Sequence, residues 1–126
     1  MPERRVFPRF PLERPVELRG PDGARFGVRS SDISVAGIGL RVSHTMVVAL
    51  AQGGTILTTG DRFELVLPGT LNASAQGGLT LGCRVKQVRR LSQHEYHVGA
   101  WFIDPTPGQK DGLAALVDAA RSARSS

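Results

Sequence analysis

Beyond Pro15, apolar and polar residues alternate singly along most of the chain, which is the two-residue period of half-buried β-strands. Val16 and Leu18 face one way and Glu17 and Arg19 the other, and Pro21-Asp22-Gly23 supplies turn residues before a second strand over Arg25 to Ser30. Ile38, Leu40 and Val42 alternate with Gly39, Arg41 and Ser43 in a third strand, and Phe63, Leu65 and Leu67 mark a fourth. Two longer strands fit Leu79 to Leu91 and His94 to Asp104, the last with Tyr96, Val98, Ala100 and Phe102 on one face. Thr45 to Ala51 reads as a short helix or a strand, ended by Gly53-Gly54. Six strands with short turns predict a small antiparallel β-barrel.

Both ends of the chain break this pattern. Residues 1–15 carry prolines at positions 2, 8, 11 and 15, which remove backbone donors and disfavour helix, so an extended or flexible arm is expected. Arg4, Arg5, Arg9 and Arg14 make that arm basic. At the other end Leu113, Leu116, Val117 and Ala120 fall on one stripe of an amphipathic helix, and Thr106-Pro107-Gly108-Gln109 reads as a capping box with proline at the first helical position. That helix is suited to cap one barrel opening. The expected organisation is an arm over 1–15, a barrel over 16–104 with a longer connection at 44–60, and a C-terminal helix and tail over 105–126. Ala-Gln-Gly-Gly occurs at 51–54 and again at 75–78, and is read as two glycine turns.

Composition narrows the function classes. At 126 residues and 40% hydrophobic content, one ordinary domain is expected. No apolar run approaches the roughly 20 residues that cross a bilayer, so no membrane insertion is expected. A single cysteine, Cys83, agrees with a reducing compartment, and a cytoplasmic protein is expected. The formal charge of +5 favours anionic ligands without choosing among them. His94 and His97 lie three apart on a predicted strand and so on opposite faces, which separates them as metal ligands. Cys83 reads as a buried strand cysteine, and Gly37-Ile38-Gly39 lacks the rest of a dinucleotide fingerprint. No catalysis, metal or cofactor is expected. Trp101 and Tyr96 fall on opposite faces of one strand and are read as core or helix-packing residues.

Two short motifs remain. Arg5-Val6-Phe7-Pro8-Arg9 is an RxxxR element on the arm, and Asp32-Ile33-Ser34-Val35-Ala36-Gly37 is a DxSxxG element between the second and third strands. In this order and ahead of a barrel pattern, the pair resembles the PilZ family, and Val98-Gly99-Ala100-Trp101-Phe102-Ile103-Asp104 is similar to that family's closing strand. The resemblance implies a six-stranded PilZ-type barrel that binds cyclic di-GMP through Arg5, Arg9, Asp32, Ser34 and Gly37, and that passes the signal to a downstream protein partner. It implies one ligand or a stacked pair.

Physical chemistry supports that reading on its own terms. Cyclic di-GMP carries a charge of about −2, and an arginine fork bonds phosphate or the guanine O6 and N7 in bidentate fashion. Asp32 can accept from guanine N–H groups or orient an arginine, Ser34 can donate to phosphate, and Gly37 allows close backbone approach or supplies a positive φ. Mutual turn capping by Asp32 and Ser34 is the structural alternative. Arg4 and Arg41 are secondary candidates. Nucleic acid is not expected as a partner; the two alternative functions are a PilZ-like scaffold for protein partners that binds no nucleotide and a basic barrel for nucleic acid, the latter lacking an aromatic stacking row. The connection at 44–60 is either a partner surface or an embellished loop.

Overall fold

The computed structural model describes residues 7–20, 23–52, 54, 57–67 and 78–125. Seven strands are assigned: β1 (Phe10–Pro11), β2 (Pro15–Arg19), β3 (Arg25–Ile33), β4 (Gly37–Ser43), β5 (Arg62–Leu67), β6 (Leu79–Arg90) and β7 (Glu95–Phe102). Every pairing is antiparallel, in the order β1-β3-β2-β5-β6-β7-β4. An additional β3–β4 pairing closes β2 to β7 into a six-stranded barrel. β1 is the extra strand, and it continues along the edge of β3 that β2 has already taken.

Alternation builds the core. Val16, Leu18, Leu40, Val42, Leu65, Leu81, Val85, Val98 and Ala100 all point inward and are buried. Two register shifts interrupt the ladders, one between Ser30 and Asp32 on β3 and one between Val85 and Gln87 on β6. Each shift inserts an extra residue, which reverses the facing of all that follow.

The ambiguous run is helix α1 (His44–Gln52), which buries Leu50 at the barrel end where β4 stops. Helix α2 (Pro107–Ser125) lies at the other end and buries Leu113, Leu116 and Ala120. Its capping box is complete: Thr106 N donates to Gln109 Oε1 at 2.8 Å and Gln109 N to Thr106 Oγ1 at 3.1 Å. Cys83 is fully buried, and burial pushes its thiol up to about 12, which leaves no thiolate for chemistry. Among the described residues, no helix is long and apolar enough to cross a membrane.

The arm differs from the expectation of a free segment as far as residue 15. Phe10 pairs with Ile33 and Pro11 with Asp32, and Leu12 is buried. Ser30 fastens this stretch. Its fully buried hydroxyl donates to Leu12 O and accepts from Arg14 N, while Leu12 N donates to Ser31 O and Ser30 N to Arg14 O. Ser30→Ala leaves those backbone groups short of a partner and is expected to cost about 1–3 kcal/mol in urea unfolding, with faster amide exchange at Arg14.

Candidate functional site

Four strands present a continuous outer surface, and their register sorts it into rows. Asp32 on β3 lies beside Gly39 on β4, which pairs with Gly99 on β7, which pairs with Gln87 on β6. Two adjacent glycines thus make a flat floor with a carboxylate at one end and an amide at the other. Trp101 stands beyond one side of this floor, opposite Gly37 on β4 and Arg84 on β6. His97 stands beyond the other side, opposite Arg41 and Arg89.

Arg9 crosses from the arm to this surface and its guanidinium donates to Asp32 Oδ1 at 2.6 Å. Both side chains remain about one-third exposed, at 38% and 31%, so the pair stabilises the fold by at most about 1 kcal/mol. A phosphate or guanine edge accepting both arms of the same fork can compete at that magnitude, because it adds a second hydrogen bond to the single one that Asp32 accepts. Phe7, Arg9, Ser34, Lys86 and Trp101 line an open groove of about 420 Å³ beside the pair.

Trp101 belongs to this groove and not to the core. It is 40% exposed, and Lys86 Nζ lies 4.3 Å from its ring centroid. The expected core or helix-packing role is therefore corrected. Parity had already set Trp101 on the face opposite Tyr96 and Phe102, which was the signal for an outward position. Tyr96 packs against the start of α1, its ring stacked on His44 with centroids 6.1 Å apart.

The DxSxxG residues divide their work. Asp32 presents its carboxylate to Arg9 on the outer surface, but Ser34 is 1% exposed and its hydroxyl accepts from Ala36 N and Gly37 N. Ser34 therefore caps its own turn, without Asp32, and shapes the loop. Gly37 begins β4 and is not among the positive-φ glycines of the described residues. A Cβ there would collide with the backbone carbonyl of Ala100, so strand approach requires the glycine and turn conformation does not. Arg5 and Arg4 lie outside the described residues.

Three residues that the motifs did not mark gather around Asp32. A Cβ on Gly39 would meet His97 Nε2 at 2.7 Å, Asp32 Oδ1 at 2.8 Å and Ser31 Oγ at 2.8 Å, so Gly39 is what lets these polar atoms converge. Ser31 Oγ and His97 Nδ1 are buried without a hydrogen-bond partner among the described residues. Burial lowers the His97 pKa from its ordinary value; Asp32 opposes that shift, and Arg89, Arg9 and Arg41 add to it. His94, by contrast, precedes β7 and lies off the strand. Among the described residues, no cluster of three or more acidic, histidine or cysteine side chains could hold a metal.

The sequence matches the PilZ domain family over residues 3–119. No curated protein matches it. Solved structures share its fold: the inhibitor of motility MotI/DgrA of Bacillus subtilis has a TM-score of 0.70 at 14% identity, covering 98% of this chain and 53% of that one. The PilZ domain of Escherichia coli YcgR with c-di-GMP has a TM-score of 0.65 at 15% identity, covering 98% and 96%. The K. pneumonia MrkH complex with c-di-GMP has a TM-score of 0.65 at 22% identity, covering 98% and 55%. This chain thus spans about half the length of MotI/DgrA and MrkH, at 53% and 55%.

The two glycines respond differently to a methyl group. Gly37→Ala meets backbone and is expected to cost about 3 kcal/mol in thermal or urea unfolding, whereas Gly39→Ala meets side-chain ends, is expected to cost about 1 kcal/mol, and separates Arg9 from Asp32. Because the folded-state pKa of His97 lies below its unfolded value, folding opposes its protonation, so stability is intact above the unfolded pKa and falls as pH drops below it. Urea unfolding between pH 7.5 and 5 is expected to show a shallower loss in His97→Gln than in the native chain.

Proposed function

Because the chain belongs to the PilZ domain family, we propose that it is a receptor for cyclic di-GMP in bacterial second-messenger signalling, and a binding adaptor with no catalytic step of its own. The observation that carries this reading is the weak Arg9–Asp32 pair poised at a groove walled by Trp101 and Lys86. Arg9, together with Arg5 earlier on the arm, takes phosphate oxygens or the O6 and N7 edge of guanine. Asp32, released from Arg9, accepts from guanine N1–H and N2–H. Trp101 offers a stacking face for a base, with Lys86 adding positive charge beside it. Ser34 and Gly37 hold the turn and the strand start that keep Asp32 in place.

Ligand capture draws the arm's cations onto the outer sheet and changes the surface that a downstream protein partner meets. The arm beyond Phe10 is already seated on β3, so the rearrangement concerns the residues ahead of it. The output this reading favours is motility or surface-polysaccharide control, in keeping with similar structures described as an inhibitor of motility and as a PilZ domain of CeSA from a cellulose-synthesizing bacterium.

Calorimetric titration with cyclic di-GMP, against GTP, GMP and a single-stranded oligonucleotide, tests the proposal. The native chain is expected to bind the cyclic dinucleotide selectively. Arg9→Ala is expected to abolish measurable binding and keep a native circular dichroism spectrum, because Arg9 is exposed and outside the core. Full affinity in that variant would overturn the assignment.

A further inference from the structure

One row of the outer surface takes no part in the contacts proposed above. The register sets Arg29 on β3 opposite Arg41 on β4, Arg41 opposite His97 on β7, and His97 opposite Arg89 on β6. Neighbours in such a row stand about 5 Å apart from strand to strand. Like charges directly opposite one another destabilise a sheet, so a row with Arg29 beside Arg41, and with Arg41 and Arg89 on either side of a histidine, is an arrangement that folding alone disfavours. Compensation among the described residues is thin. Glu95 reaches Arg41 only at 3.7 Å, with both side chains nearly half exposed, and no ion pair is found for Arg29 or Arg89.

His97 sits at the centre of the row with a buried, unpartnered Nδ1. Arg89, Arg41 and the arm's Arg9 all lie close enough to act on this one imidazole. The Gly39–Gly99 floor separates the row from Trp101, and the four residue steps of β7 from His97 to Trp101 cover roughly 13 Å. Cationic groups therefore border the floor on both sides.

We propose that Arg41, His97 and Arg89 form a second anion subsite, which takes a phosphodiester on the opposite side of the glycine floor from Trp101. The proposal rests on the receptor reading and extends it from one phosphate contact to two. The second phosphodiester belongs either to the far side of one cyclic dinucleotide or to a second, stacked copy. Either source places a negative charge where three guanidinium groups now oppose protonation of His97. The groups facing His97 are Asp32 from β3, Arg41 from β4, Arg89 from β6 and Arg9 from the arm, with Glu95 on its own strand paired to Arg41. A phosphodiester raises the His97 pKa from its lowered free value. Binding therefore takes up a proton, and affinity rises as pH falls from 7.5 to 6.

The test is calorimetric titration of cyclic di-GMP into the full chain and into its Arg9→Ala, Arg89→Ala, His97→Gln and Lys110→Ala variants, each checked for a native circular dichroism spectrum. Lys110 lies on α2, off the sheet, and its variant is expected to bind as the native chain does. Arg89→Ala is expected to bind about tenfold more weakly at unchanged stoichiometry, which assigns the row to one ligand's far phosphate, or to lose the second of two equivalents, which assigns it to a stacked copy. Titration in two buffers of different ionisation enthalpy is expected to show proton uptake by the native chain and none by His97→Gln. Native binding with Arg89→Ala and His97→Gln isotherms unchanged overturns the subsite and leaves the receptor reading standing. No binding by the native chain overturns both.

Discussion

Strict alternation along β3 would bury Asp32. Ser30 points into the barrel, and a residue two places further on would follow it inward. The register shift between Ser30 and Asp32 prevents this by inserting Ser31, so that Asp32 faces out and Ile33 faces in. That one extra residue underlies the whole outer surface. It allows a single strand to fasten the arm from inside, through Ser30, and to hold Arg9 from outside, through Asp32. The matching shift on β6 brings Gln87 beside Gly99, and Lys86 next to it reaches the Trp101 ring.

Barrel closure makes these local adjustments matter. β3 is paired along both edges, by β2 and then β1 on one side and by β4 on the other, so neither edge is left open. Residues far apart in sequence, such as Asp32 and Gln87, consequently occupy one row with only glycines between them. An open sheet could splay there. A closed one keeps the floor flat and its ends at a fixed spacing.

Most of the architecture was legible in the sequence because it follows local periodicity. Alternation marked the six barrel strands within a few residues, and the Thr106 to Gln109 box marked the start of α2. The two register shifts were not legible, since one inserted residue leaves no trace in a local pattern of apolar and polar positions. Gly39 and His97 escaped for the same reason, because their meaning lies in cross-strand neighbours. The motif residues show a different limit: sequence spacing grouped Asp32, Ser34 and Gly37 as equals, while packing gives the last two structural duties that spacing does not show, in the turn and in the approach of β7. Ser30 looked like any strand serine, and nothing near it signalled a clasp on the arm.

In the receptor role proposed above, the buried position of Leu12 sets how Arg9 meets a ligand. Three residues of chain reach at most about 10 Å, so the guanidinium is confined to a small volume around a fixed point. Its effective local concentration at the groove is therefore in the millimolar range or above, and much of the entropy of immobilising it is lost on folding instead of on binding. A receptor tethered in this way discriminates by how well the newcomer competes with Asp32 for one cation, and it can release the ligand as quickly as that carboxylate reclaims it.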